Sequence, residues 1–80
     1  VNIEDRFEFG ETIRRRRQSL GITQSTLADL SGVGRHSITD IESGKGNPTI
    51  EITKRLLAPL GLKLVIQIAE PGHSQDEVIL

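Results

Sequence analysis

Glycines at 21, 32 and 44 cut the middle of this chain into two short helical stretches, and this punctuation constrains the fold more than any other feature. Between the first two lies "ITQSTLADLS", where Thr23 suits an N-cap and Leu27, Ala28 and Leu30 supply a buried stripe. After "SGVG" comes "RHSITDIESG", with Ile38 and Ile41 three apart on one helical face and Gly44 closing the helix. Gly32 is free to take the positive φ that a tight turn between them requires. Helices of about two turns are marginal alone, so these two depend on flanking elements for burial.

The flanks supply them. Phe9, Ile13 and Leu20 recur at helical spacing and Gly21 follows as a left-handed terminator, which predicts a first helix over about 8–20, with residues 1–7 as a loose arm. Thr49, preceded by Pro48, caps a fourth helix. Glu51 in its first turn and Lys54 and Arg55 later suit the helix dipole, and Ile50, Leu56, Leu57 and Leu60 form its apolar face. Pro59 ends or kinks it near Ala58. The period then changes. In "LKLVIQIA", residues 62–69, Leu62, Leu64, Ile66 and Ile68 alternate with Lys63, Val65, Gln67 and Ala69, which predicts a strand. Residues 70–80 are polar and contain Pro and Gly, as expected of a flexible tail.

Eighty residues make one compact domain. With no Cys, disulfides and thiolate metal sites are excluded. No apolar run approaches the roughly 20 residues that span a bilayer, and no segment resembles a signal peptide, so the expected location is the cytoplasm. Two Phe with no Trp or Tyr leave little for stacking on single-stranded nucleic acid. The net charge of −1 conceals a pattern: residues 1–11 carry −3, residues 12–63 carry +5 and residues 64–80 carry −3. A basic middle between acidic ends hints at a polyanionic partner.

Two short helices joined by a tight glycine turn, packed between further helices, form the helix-turn-helix pattern. Over roughly residues 9–61 the chain resembles the Xre family of phage-repressor-like domains. The resemblance rests on Gln24 opening the second helix, Ala28 within it, Gly32 in the turn, Ile38 and Ile41 in the third helix, then "IESG" and "NPT". Ala28 must be small where the third helix crosses, and Ile38 and Ile41 anchor that helix so that its other face stays free. The competing reading is a generic small helical bundle, which needs the apolar stripes but not these residues at this spacing. The expected fold is therefore mainly α: a four- to five-helix lambda-repressor-like helix-turn-helix domain at 1–61, then a β-strand at 62–69 that pairs across a dimer.

In such motifs the third helix enters the major groove of DNA by its N-terminal residues. Arg35, His36, Thr39 and Asp40 are the base-reading candidates. Arg35 suits a bidentate contact to guanine or a phosphate contact, His36 a guanine acceptor or a phosphate, and Asp40 a cytosine amino group or a basic neighbour. Gln24 and Ser25 open the second helix, whose N–H groups suit a phosphate, and the resemblance implies that Gln24 contacts the DNA backbone. Ser37, Lys45 and Asn47 are further phosphate candidates. The resemblance also implies a structural pair between Arg17 and Glu42.

The run "RRRR" at 14–17 looks like a basic patch but spreads over about 300° of a helix. Arg17 borders the core. Arg16 stands where relatives often carry Leu and is expected to snorkel. Arg14 and Arg15 remain for solvent, Glu11 or DNA phosphate.

A lone strand satisfies neither its backbone nor its apolar face, so 62–69 is expected to pair with a second copy about a two-fold axis, the alternative being a strand that packs back on its own helices. "LGLKLVIQ" directly after the domain resembles HipB-like antitoxins. The resulting expectation is a homodimeric repressor of a palindromic DNA operator, acting as the antitoxin of a HipA-like kinase toxin. The alternatives are an interaction module that chiefly neutralises a toxin, and a stand-alone Xre-type regulator. No catalytic grouping, metal cluster or cofactor motif stands out, so neither an enzyme nor a cofactor is expected, and His36 and His73 do not suggest a metal site.

Overall fold

The computed structural model describes residues 1–67. Four α-helices follow one another: α1 Arg6–Ser19, α2 Gln24–Ser31, α3 Arg35–Glu42 and α4 Ile50–Leu57, the last running into a 3-10 turn at Ala58–Leu60. Local chemistry sets each start. Asp5 accepts from the N–H groups of Phe7 and Glu8, Thr23 from that of Thr26, and Thr49 from that of Ile52. Helix α3 alone begins without a side-chain cap, at Gly34. Gly32, at φ 72°, ends α2 and turns the chain into α3. Pro59 converts the end of α4 to the tighter turn, after which Leu62 N–H donates back to Leu57 C=O at 3.1 Å.

Helices α1 and α2 both pack against α3, and α4 with its 3-10 turn closes the other side. The core is Phe9, Ile13, Leu27, Val33, Ile38, Ile41, Leu56, Leu57 and Leu60, with Ile22, Ala28, Ile52, Leu62 and Leu64 partly buried against it. Ile38 is fully buried between the other helices, so α3 is anchored from within.

Several expectations are corrected. The first helix begins at Arg6 rather than near residue 8, because Asp5 caps it, so only residues 1–5 precede it. Leu20, Leu30 and Ile50 do not join the core: they are 44%, 61% and 69% exposed. Leu20 caps the C-terminus of α1, and Leu30 and Ile50 lie on outer faces, where a scattered surface apolar residue is ordinary. Val33 in the turn is buried, as is Thr53, whose hydroxyl donates to Thr49 C=O at 2.9 Å.

Residues 62–67 form no strand within the single chain. Leu62 and Leu64 rest on the core, while Val65 and Ile66 are 65% and 93% exposed. Ile68, the last of the four expected strand positions, and the tail 70–80 lie outside the described residues. Among the described residues no helix is long and apolar enough to cross a membrane.

Candidate nucleic-acid interface

Helix α3 presents one free side. Ile38, Ile41 and Glu42 face inward, and at about 100° per residue the opposite direction belongs to His36 and Asp40. These two lie one turn apart, with His36 Nε2 3.6 Å from Asp40 Oδ2 and the His36 side chain almost fully exposed. Arg35 and Thr39 flank them on the side of α2, and Ser37 on the other side; all three are exposed. Ser37 and Asp40 share a shallow groove with Gly46, Asn47, Pro48 and Thr49 of the following loop. Lys45 and Asn47 are both exposed in that loop, whose path is fixed where Lys45 N–H donates to Asp40 C=O at 2.8 Å.

The far border is the start of α2. Ser25 is exposed there, but Gln24 is half-buried and both ends of its amide bond protein. Its Nε2 donates to Glu42 Oε1 at 3.2 Å, and its Oε1 accepts from the Thr39 hydroxyl at 3.0 Å. The sequence resemblance implies a backbone-phosphate role for Gln24 and does not indicate this bridge. Spacing alone puts Thr39 and Glu42 on one flank of α3, but the approach of Gln24 from α2 is a tertiary contact.

Glu42 is the hinge of the arrangement. Its side chain is only 4% exposed, and Arg17 grips it with Nε on Oε2 at 2.7 Å and Nη2 on Oε1 at 2.9 Å. Arg17 also donates through Nη1 to Ile22 C=O at 3.0 Å. The hydrogen bond to Glu42 pushes the Arg17 guanidinium above its ordinary pKa, outweighing the opposite effect of burial. So α1, α2 and α3 meet at one carboxylate, and among the described residues every buried side-chain polar atom has a partner.

The other arginines of the run separate as their angles require. Arg14 and Arg15 both bind Glu11, holding its carboxyl below the ordinary glutamate range, Arg14 contributing most. Arg16 reaches across to donate from Nε to Leu60 C=O at 2.8 Å, so it satisfies a carbonyl at the end of the 3-10 turn. None of the four faces the exposed side of α3 as part of a single patch.

Chemically, the surface offers a central pair of side chains able to donate or accept toward base edges. Around it stand short polar groups and one lysine that suit phosphate oxygens. An exposed, uncapped helix start lies between them.

Comparison with known proteins agrees with this geometry. The Helix-turn-helix family model matches residues 13–67. A Haemophilus influenzae protein named an uncharacterized HTH-type transcriptional regulator is 52% identical over 50 residues, 62% of this chain and 51% of that protein. The Escherichia coli HTH-type transcriptional regulator PuuR is 36% identical over 71 residues, 89% of this chain and 38% of PuuR. The chain thus spans about half or less of these two relatives. Among solved structures, the restriction-modification controller protein C.AhdI from Aeromonas hydrophila superposes with a TM-score of 0.71 at 32% identity, over 75% of this chain and 91% of that one. From its turn, its buried anchor and these relatives, the chain belongs to the Xre-like Helix-turn-helix family.

Proposed function

We propose that this chain is a sequence-specific DNA-binding transcriptional regulator that represses from a palindromic operator as a homodimer in the cytoplasm. The observation that carries the reading is the free side of α3: His36 and Asp40 at its centre, Arg35, Thr39 and Ser37 beside them, over an inward face fixed by Ile38 and Ile41. Arg35, His36, Thr39 and Asp40 read bases; Ser25, Ser37, Lys45 and Asn47, with the start of α2 at Gln24, hold phosphates. No catalytic residue is assigned.

Selection from random duplexes should yield a palindrome with half-sites roughly 34–36 Å apart. Affinity for it should fall steeply with salt, and Lys45→Ala should weaken binding to all sequences alike while lowering the salt slope by about 1. Binding that is equal on scrambled duplexes and flat with salt would sink the reading.

Two-fold pairing of 62–69 is supported by Val65 and Ile66, apolar and exposed at the end of a segment whose Leu62 and Leu64 already rest on the core. Removing residues 62–80 should give a monomer by light scattering and much weaker operator binding. A truncated chain that stays dimeric excludes the strand as the interface. The same exposed segment favours a second reading, in which the protein is the antitoxin of a HipA-like kinase and neutralises it by direct contact. Stable co-purification with a kinase encoded in the neighbouring reading frame is the expected result for that reading.

A further inference from the structure

We propose that Thr39 reads a thymine through its γ-methyl group and that Gln24 is the residue that holds it in that orientation. This inference rests on the DNA-binding reading above and specifies the chemistry of one of its contacts.

The argument begins with Glu42. Its carboxylate is buried, is already gripped by Arg17, and can only accept hydrogen bonds. The Gln24 amide lies against it, so the NH2 end of that amide must face Glu42. That choice turns the carbonyl oxygen of Gln24 toward α3, where it accepts from the Thr39 hydroxyl at 3.0 Å. A second acceptor, Arg35 C=O, lies 3.1 Å from the same hydroxyl. Both acceptors belong to the protein, so the single proton of Thr39 is directed inward. Thr39 is nevertheless exposed. What it offers outward is the other substituent on its Cβ, the methyl.

An outward methyl on a major-groove helix has one base-specific partner, the 5-methyl of thymine. A free threonine hydroxyl would discriminate poorly, because it both donates and accepts. Engagement by Gln24 removes that ambiguity. The second N–H of the Gln24 amide remains for a phosphate, so the expected backbone contact and the positioning role are compatible.

The test uses the operator selected by the full chain. Each thymine of a half-site is replaced in turn by deoxyuridine, which removes only the methyl. One position should lose about fourfold in affinity, the worth of about one buried methyl. Thr39→Ser should abolish that loss, and Thr39→Val should preserve it, because valine carries a methyl at both γ positions and presents one outward without needing the hydrogen bond to Gln24. Gln24→Ala should reduce the thymine-to-deoxyuridine ratio at that position alone, beyond any uniform weakening from a lost phosphate contact. Melting temperatures of the three variants check that each is folded.

A half-site in which no thymine is sensitive overturns the inference, as does sensitivity unchanged by Thr39→Ser or lost in Thr39→Val. A ratio untouched by Gln24→Ala overturns the positioning role. A selection that returns no preferred sequence overturns the regulator reading itself, an outcome separate from all of these.

Discussion

Replacing Gly10 with alanine is expected to destabilise this domain by about 3 kcal/mol or more, although alanine is the better helix former by about 1 kcal/mol. Gly10 lies in α1 where that helix crosses the end of α3. A Cβ there would stand 2.9 Å from Glu42 C=O oxygen and nearer still to that of Ile41. Both are backbone atoms of the helix that carries the candidate reading side chains, so no flexible side chain can give way. To admit one methyl, α1 and α3 must separate, which loosens the core that Phe9 and Ile13 of α1 share with Ile38 and Ile41 of α3. For a domain this small the loss corresponds to a fall in melting temperature of more than about 10 °C, read by circular dichroism. Gly34→Ala is the control: its φ is −60° and a Cβ there meets nothing within 4 Å, so it should be close to neutral. Equal melting of wild type and Gly10→Ala would show that the two helices tolerate a wider spacing.

Gly10 also marks what the sequence reveals and what it hides. The helices were legible because their ends carry their own chemistry: Thr23 and Thr49 as caps, Gly21, Gly32 and Gly44 at left-handed positions, Pro59 as a stop. The anchor of α3 was legible because Ile38 and Ile41 stand at helical spacing in an otherwise polar stretch. A glycine inside a helix signals nothing by itself, since the reason for it is a carbonyl more than 30 positions away in sequence. Leu20, Leu30 and Ile50 were misread for a related reason. Periodicity assigns a face to each helix but not where the neighbouring helix stops, and all three lie at ends or edges beyond that contact. For the interface, the exposed members of α3 followed from the two isoleucines, whereas the Gln24 bridge depends on how close α2 comes to α3, which no local pattern encodes. The strand at 62–69 is a reading of a different kind. Its period is plain, but a strand that pairs with a second copy has no partner inside one chain.

Arg17→Ala is expected to cost about 3–5 kcal/mol, because it leaves the Glu42 carboxylate buried without its cation. The two side chains are 12% and 4% exposed, so water cannot replace the guanidinium without opening the junction of α1, α2 and α3. Gln24 stays as a single neutral donor to Glu42, too little to offset a charge. Arg17→Lys should recover only part of the loss, since an ammonium cannot grip both carboxylate oxygens while reaching Ile22 C=O. The double change Arg17→Met, Glu42→Leu should be milder than either truncation alone, and the difference from additivity in urea melts measures the coupling. The sign of the pH dependence follows from Arg17. Glu42 raises its pKa on folding, so its contribution is complete below the unfolded value and is lost only as pH climbs through the folded one. Both lie far above neutrality, so Arg17 itself adds no pH dependence to the gap between wild type and Arg17→Ala from about pH 6 to about pH 10. A gap that closes within that range would mean that another group titrates at this junction. The same variant separates stability from recognition. With Glu42 no longer fixed by Arg17, the acceptor that orients the Gln24 amide can move, so affinity for the selected duplex should drop even at temperatures where Arg17→Ala remains folded.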